Sequence, residues 1–532
     1  MQQWTERIPG FDALTERQTG AFLLISTIVG VAVGLGAAGL IWAIEWVSEG
    51  VDWLVEEWVG SPLLWLAVVP VFLVASWAIS ARFAPHTMGS GIAESIEALA
   101  LHGGRIRFLT WPVKLVATAI TIGGGGSGGR EGPVVQIGAS LGSTIARRFG
   151  LGEDMVRSLV AAGAGAGVGA SFNAPIAGML FALEVILGTL SVRHLSSVVL
   201  ASVAAAVTTG AIVGEEAILS ARPYELGDPR ELLLYIGMAV LIIAVAIPFL
   251  RLIQRTDILG ERLSGALRPA LLGLVTAGVA LVELTINDSG DSGVLRSGQD
   301  LLAQFINADS TFALAWWVVA AIAVLKMLAS AATHASGGSA GLFMPSLVIG
   351  GAIGVAFGGA FAEIWTFSDL QPGAFAVVGM ATMFAAVARA PLTSILIVFE
   401  ITGSRNYGLI LPLMLAATLA TFLAERFHTH SLYTMALARK GINLSKQGEV
   451  DILDTVPIGE VMTASPMRVR DTTPVATIRE ELDKRRSHGA PVVDQDGTLV
   501  GIITMTDIAK ASTDARAAEV MTPRPVTVTP TT

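Results

Sequence analysis

Long apolar runs constrain this chain more than any other feature. Several approach or exceed the roughly 18 residues that span the hydrocarbon core of a bilayer, and the composition, 53% hydrophobic and 14% charged with a mean hydropathy of +0.66, agrees with them. The first run is longer than the core of a signal peptide. The sequence therefore predicts an integral, multi-pass membrane protein. The runs are Gly20–Ile44, Pro62–Ile79, Leu195–Val213, Leu232–Phe249 and Leu409–Leu423.

Other apolar stretches are short or are interrupted by glycine and proline. They lie at 89–101, 131–146, 153–170 and 341–362. Broken helices at membrane depth are tolerated only where they line a cavity or are packed inside protein. This pattern favours a transporter or channel over a simple membrane anchor.

Composition divides the chain into three parts. Residues 1–19 form a polar N-terminal segment, 20–440 form the membrane body, and 441–532 form a soluble tail, with the change near Gly441. There is no cysteine, which excludes disulfides and thiolate metal sites. No basic patch indicates nucleic-acid binding.

Two segments of the membrane body match each other. Residues 125–142 align without a gap to 337–354, and Ala174-Pro175 with Glu184 recurs as Ala390-Pro391 with Glu400. Two matches in the same order indicate a duplication, with halves at about 20–215 and 230–428. Duplicated segments interrupted by glycine indicate a binding site between the halves near the membrane midplane.

Three glycine-containing segments have the composition of helix starts that could hold an anion. They are GSGIA at 89–93, GREGP at 129–133 and GLFMP at 341–345. A helix N-terminus offers unpaired N–H groups and a positive potential without a full charge. The alternative for each run taken alone is close helix packing through small residues.

In these motifs, and in Tyr433 near the end of the membrane body, the chain resembles the CLC family of chloride channels and proton-coupled chloride exchangers. The resemblance covers nearly the whole membrane body. It implies an all-α polytopic fold of inverted repeats with broken helices, and a homodimer with one pore per subunit. It also implies chloride as the transported ion, with other small anions left open, and residence in the cell membrane with the tail in the cytoplasm.

The resemblance assigns roles to individual residues. Ser90 and Tyr433 supply hydroxyls, and Leu342 and Phe343 supply backbone amides, to a central chloride. Glu131 is the gating glutamate, whose carboxylate competes with chloride; an idle buried charge there would be costly. The rest of the pore region consists of Gly129, Arg130, Gly132 and Gly341.

Structural roles remain open for several of these side chains. Ser90 could cap a helix, and Tyr433 could be an anchor at the membrane interface. Arg130 and Lys114 could add positive potential at the outer mouth, or could instead snorkel or form structural ion pairs.

Two positions depart from the family pattern. Ala93 stands where the family usually has proline, which weakens the transfer of amide donors in that loop. Val185 stands where the exchangers commonly carry an internal glutamate, directly after the position of Glu184. Valine cannot carry a proton, so the sequence favours a channel that passes chloride passively. The alternative is a chloride/proton antiporter in which Glu184 or a water path supplies the proton.

The tail resembles a CBS domain. One motif covers about 456–510, and a second begins at Val520 but is cut short by the end of the chain. By resemblance, Thr504 and Asp507 would lie near the ribose or phosphate of an adenine nucleotide. A structural or dimer-contact role is an equal alternative, because Asp507 after Thr504 is also an ordinary helix cap.

Two other classes of protein fit the sequence poorly. A divalent-cation transporter would need clustered intramembrane carboxylates, whereas Glu131, Glu184 and Glu400 are far apart along the chain. An enzyme would need a nucleophile with a base or a metal motif, and the metal motif HExxH is absent. We therefore expect no enzymatic activity, no metal and no cofactor other than bound chloride and the nucleotide left open above.

Overall fold

The computed structural model describes residues 11–214, 219–286, 292–308, 314–362, 364–403, 407–442, 462–463, 466–485, 487–512, 514–523, 525 and 527. The chain separates into two compact units, Met1–Val450 and Asp451–Thr532. The first ten residues of the predicted polar N-terminal segment and the beginning of the predicted CBS motif lie outside the described residues.

The first unit is helical. Its helices are α1 (Phe11–Asp52), α2 (Trp65–Phe83), α3 (Ile92–His102), α4 (Thr110–Gly123), α5 (Glu131–Arg148), α6 (Glu153–Phe172), α7 (Pro175–Phe181), α8 (Val192–Val213), α9 (Glu231–Glu261), α10 (Leu267–Ile286), α11 (Gln299–Ile306), α12 (Trp316–Ala335), α13 (Phe343–Ala362), α14 (Pro372–Ala388), α15 (Pro391–Ile401), α16 (Ile410–Phe427) and α17 (Thr434–Arg439). Helix α1 continues as a π-helix over Trp53–Val59, and α7 continues as one over Ala182–Ile186.

Within the described residues, nine helices are long and apolar enough to cross a membrane. All five long apolar runs of the sequence fall in these helices, so the prediction of a multi-pass membrane protein is confirmed. Shorter apolar helices, including Pro372–Ala388 and Pro391–Ile401, stand among them. This mixture of long and short helices is typical of proteins that surround a binding site.

Three of the stretches predicted to be short or broken are continuous, and one of them, 131–146, lies within α5, which runs for 18 residues. The stretches 153–170 and 341–362 correspond to helices α6 and α13, and each of these helices runs for 20 residues. Glycine does not interrupt them because it lies where neighbouring helices touch: Gly138 of α5 faces Gly163 of α6, and Gly350 of α13 faces Gly379 of α14. Pro345 lies in the first turn of α13, where its missing N–H has no intrahelical partner to lose. In these two helices the glycines therefore permit close packing against neighbouring helices.

The duplicated segments bond to each other across the two halves. Ser127 of the first half is held by hydroxyls of the second, and the equivalent Ser339 is held by equivalent hydroxyls of the first. The bonds are Ser127 N–H to Thr333 Oγ1 at 3.0 Å, Ser127 Oγ to Ser330 Oγ at 2.9 Å, Ser339 N–H to Thr121 Oγ1 at 3.0 Å and Ser339 Oγ to Thr118 Oγ1 at 2.8 Å. All four bonds are buried, which fixes the two glycine motifs against each other.

A second reciprocal contact joins the two short helices that begin with Ala-Pro. The Glu184 carboxylate accepts the Thr393 amide at 2.7 Å, and the Glu400 carboxylate accepts the Ala177 amide at 2.7 Å. Each carboxylate therefore caps the first turn of the equivalent helix in the other half, where amides have no intrahelical acceptor.

The second unit contains a four-stranded sheet in the order β1 (Val469–Arg470), β2 (Gly489–Val493), β3 (Leu499–Thr504) and β4 (Thr522–Pro523). Strand β1 is parallel to β2, and the other pairs are antiparallel. Its helices are α18 (Val475–Arg485), α19 (Met505–Lys510) and α20 (Ala517–Val520). The segment from Val520, predicted to open a second motif, supplies β4 to this same sheet.

Candidate anion site

Ser90 lies in a turn that only glycine can form easily. Gly89 has φ +71° and Gly91 has φ +90°, a region that is open to glycine and costly for most side chains. The turn ends at the start of α3, and it leaves the Ser90 hydroxyl buried without a hydrogen-bond partner among the described residues. An unpaired buried hydroxyl is costly unless a ligand satisfies it.

The starts of α5 and α13 are joined by backbone. Gly129 and Gly341 exchange two hydrogen bonds, at 2.8 Å and 2.7 Å. Gly132 packs against Ser90 Oγ, where any side chain would collide with it. The three glycine motifs predicted to hold an anion are therefore brought together, and each contributes a helix start.

Tyr433 provides a second unpaired hydroxyl. Its side chain is 4% exposed, and the phenol oxygen has no hydrogen-bond partner in the described part of the chain. Its ring meets Phe181 edge to face, with centroids 6.4 Å apart. Packing holds the ring while the hydroxyl stays available as a donor.

The other two predicted donors lie at the beginning of α13. Leu342 and Phe343 are both buried, and the first amides of a helix have no intrahelical acceptor. The Phe343 ring packs on Phe172 and Phe384, with centroids 5.2 Å and 4.1 Å away. This aromatic packing fixes the backbone that would face the anion.

Glu131 is the first residue of α5 and is 1% exposed. Its carboxylate lies against Gly129 and interacts with the backbone N–H of Met344 in the first turn of α13. The carboxylate therefore occupies a helix start of the kind that attracts an anion, and one of its oxygens has no hydrogen-bond partner within the described residues. This is the arrangement needed for competition between a carboxylate and a small anion.

Lys114 neither snorkels nor forms an ion pair in the described structure. It is fully buried, and its ammonium donates to the carbonyls of Thr87 at 2.9 Å and Gly89 at 2.7 Å. It therefore holds the turn that carries Ser90. Arg130 donates to Ser171, with Nε 3.3 Å from the hydroxyl.

Sequence reasoning missed Lys326, the counterpart of Lys114. Lys326 is also fully buried, and it donates to the carbonyls of Val294 at 2.9 Å and Arg296 at 3.0 Å. The Arg296 carbonyl in turn accepts the Gly128 amide at 2.9 Å, next to the Glu131 turn. The internal repeat identifies Lys326 in the sequence, because Lys326 follows Lys114 by the same number of residues as Gly341 follows Gly129.

A cavity of about 380 Å³ opens onto the site. Ser90, Leu342 and Tyr433 contribute to its wall, whereas Glu131 and Phe343 do not. The wall also carries charged and titratable side chains that sequence reasoning did not select: Glu94, Asp257, Glu261, Arg268, His334, Arg439 and Lys440. These residues lie on several separate elements, and no sequence motif links them.

The two positions predicted for a proton pathway lie apart from this cavity wall. The Glu184 carboxylate accepts three hydrogen bonds from α15, from the Leu392 amide at 3.2 Å and from the amide and hydroxyl of Thr393 at 2.7 Å each. Val185 packs against the apolar core. Glu184 therefore serves as a helix cap in this structure.

In the second unit, Thr504 and Asp507 bond to each other. The Asp507 carboxylate accepts the Thr504 amide at 2.9 Å and its hydroxyl at 2.7 Å, which forms a capping box at the start of α19. This is the helix-cap alternative stated above. Binding of an adenine nucleotide there stays a prediction.

A duplicated bundle of long and short apolar helices, in which helix starts meet near two unpaired hydroxyls, has the architecture of a membrane transport protein. The family model for voltage gated chloride channels matches residues 71–425, and that for CBS domains matches 458–514. The chain belongs to the voltage gated chloride channel family, the CLC family, as its motifs predicted.

Named relatives and solved structures agree with this assignment. The chain is 33% identical to the H⁺/Cl⁻ exchange transporter ClcA of Vibrio cholerae, over 78% of this chain and 89% of that protein. It is 29% identical to the chloride channel protein CLC-f of Arabidopsis thaliana, over 92% and 69%. The structure of a slow cyanobacterial Cl⁻/H⁺ antiporter superposes with a TM-score of 0.70 at 27% identity, covering 79% of this chain and 97% of that one. The predicted fold class is confirmed.

Proposed function

We propose that this protein exchanges chloride for protons across a membrane, with Glu131 as the group that both competes with the anion and carries the proton. The observation that carries the proposal is the position of the Glu131 carboxylate at the start of α13, while the next residue, Gly132, packs against the buried and unpaired hydroxyl of Ser90. A carboxylate placed there excludes an anion when it is charged and releases the site when it is protonated.

The exchange proposal replaces the channel favoured by the sequence. Relatives that match about four fifths of this chain are named H⁺/Cl⁻ exchange transporters, and a solved relative above 25% identity is described as an antiporter. The argument for a channel was Val185 alone, and the lack of a titratable group at one position removes one route for protons rather than every route.

Chloride is supported as the anion by the chemistry of the site. Two hydroxyls and several backbone amides provide donors without a full positive charge at the ion, which allows the ion to leave again.

We also propose the homodimer implied by the family resemblance.

Reconstitution tests the proposal directly. Proteoliposomes with an imposed chloride gradient are followed with a chloride electrode and a pH electrode at the same time. Exchange predicts that protons move uphill as chloride runs down, and that the movement stops in Glu131→Gln. Chloride flux without proton movement in the wild-type protein would restore the channel interpretation.

A further inference from the structure

We propose that His334 is the proton station on the cavity side of Glu131, in the role for which Val185 has no titratable group. The inference rests on the proposed chloride/proton exchange, because it names the residue that would supply the protons. His334 lies in the last turn of α12 and contributes to the same cavity wall as Ser90 and Tyr433.

The imidazole lies directly beside the turn that carries Ser90. A Cβ built on Gly89 would be 3.5 Å from His334 Cε1, so the ring is in contact distance of this glycine. His334 Nδ1 is buried and has no hydrogen-bond partner within the described residues. Histidine side chains commonly transfer protons in proteins, and an unpartnered ring nitrogen has no hydrogen bond to lose when it binds a proton.

The other ring nitrogen faces an acid. Nε2 of His334 lies 3.8 Å from the Asp257 carboxylate, which also accepts Arg439 at 3.0 Å. An imidazolium would be stabilised by Asp257, while Arg439 offsets part of that attraction.

Charges of both signs surround the cavity. The acidic groups are Glu94 on α3 and Asp257 and Glu261 on α9, and the basic groups are Arg268 on α10, Arg439 on α17 and Lys440. Arg268 donates a hydrogen bond from Nε to the Ala335 carbonyl at 2.6 Å, and Lys114 donates one to the Gly89 carbonyl. The cavity wall therefore carries three acidic and three basic side chains in addition to the imidazole of His334.

A short path leads from His334 to Glu131. The imidazole borders Gly89, the next residue is Ser90, and the Ser90 hydroxyl touches Gly132, which follows Glu131 in α5. In the proposed step the Nδ1–H bond of the imidazolium breaks, and water carries the proton from the cavity past Ser90 to the Glu131 carboxylate, which lies beyond the cavity wall. An O–H bond forms there. His334 returns to the neutral imidazole, and the neutral Glu131 leaves the helix start to chloride.

The test compares His334→Gln with wild-type protein in proteoliposomes under a chloride gradient, recording protons and chloride together. We expect the number of protons moved per chloride to fall about tenfold or more. His102→Gln is the matched control, because His102 is exposed at the end of α3 and lies outside the cavity wall; it should keep the wild-type ratio.

The outcomes separate this inference from the proposed function. If the wild-type protein moves no protons uphill, exchange itself is wrong and His334 has no such role. If the wild-type protein exchanges and His334→Gln keeps its ratio, only the His334 station is wrong. If His334→Gln loses chloride flux as well, His334→Ala is measured with and without added imidazole. Added imidazole should restore proton movement in His334→Ala. If it restores chloride flux but no proton movement, the proposal is wrong.

Discussion

Gly341 packs against the backbone of Gly132 so closely that a Cβ on Gly341 would lie 3.0 Å from the Gly132 nitrogen. The same Cβ would lie 3.2 Å from the Gly129 carbonyl oxygen. Both obstacles are backbone atoms, which cannot rotate away as a side chain would. The starts of α5 and α13 therefore approach each other so closely that a side chain at this position would force the backbone to move by a few tenths of an ångström.

Gly341→Ala should consequently separate the two helix starts. We expect a loss of about 1–3 kcal/mol in the free energy of unfolding, the usual cost of overpacking, together with a loss of chloride flux. Gly278→Ala is the control, because nothing lies within 4 Å of a Cβ at Gly278 in α10. Thermal unfolding in detergent and flux from proteoliposomes measure the two effects; equal behaviour of the two variants would contradict the prediction.

Tyr433→Phe removes one hydroxyl and keeps the ring that packs on Phe181. If the hydroxyl donates to chloride, the variant should bind chloride about fivefold more weakly, the equivalent of about 1 kcal/mol for one hydrogen bond. Isothermal titration calorimetry measures the affinity. Tyr407→Phe is a matched control, since Tyr407 is 77% exposed. An unchanged affinity in Tyr433→Phe would remove this hydroxyl from the site.

Glu131→Gln imitates the protonated carboxylate and cannot compete as an anion. Chloride flux in this variant should lose most of its dependence on pH, because the titrating group at the helix start is gone. Flux is measured in proteoliposomes across the pH range in which the wild-type rate changes. Glu49→Gln, an exposed position on α1, should keep the wild-type profile, and a wild-type profile in Glu131→Gln would exclude the gating role.

Lys114→Met and Lys326→Met should each lower the free energy of unfolding by about 1–3 kcal/mol, because buried carbonyls lose their donor. The two variants should differ in binding. Lys114 holds the carbonyl of Gly89, next to Ser90, so only its loss should directly weaken chloride affinity. Calorimetry and thermal unfolding on both variants test this, and an equal fall in affinity would argue against a positioning role specific to Lys114.

Glu184→Ala and Glu400→Ala should cost similar amounts of stability, about 1–2 kcal/mol each for a lost N-terminal cap. The reason is the reciprocal geometry, in which each carboxylate accepts amides from the first turn of the equivalent helix. Thermal unfolding of the two single variants measures the effect. A large loss in one and none in the other would show that the two caps are unequal.

Motifs predicted the parts of the site that lie on helix starts. The turns around Ser90, Glu131 and Phe343 are local, since a few glycines and a proline determine their backbone and appear directly in the sequence. Other glycines misled the prediction at α6 and α13, because a glycine that permits close packing and one that ends a helix look alike in the sequence when the neighbouring helix is unknown.

The remaining parts of the site depend on contacts between distant segments. His334 reaches Gly89 from another half of the chain, and the Glu184 carboxylate finds Thr393 more than 200 residues away. Neither residue belongs to a local motif that reveals its partner. Lys326 is the exception, because the repeat predicts its position once Lys114 is known to matter.

The crossed serine and threonine bonds carry an implication about ancestry. Ser127 takes its partners from Thr333 and Ser330, and Ser339 takes the equivalent partners from Thr121 and Thr118. In a half-length ancestor, these serine and threonine groups would have had no partners within one chain. A second identical chain would have supplied the partners, which is the contact pattern of a symmetric dimer. Fusion of two such copies would keep this interface, in which the most similar segments of the two halves face each other.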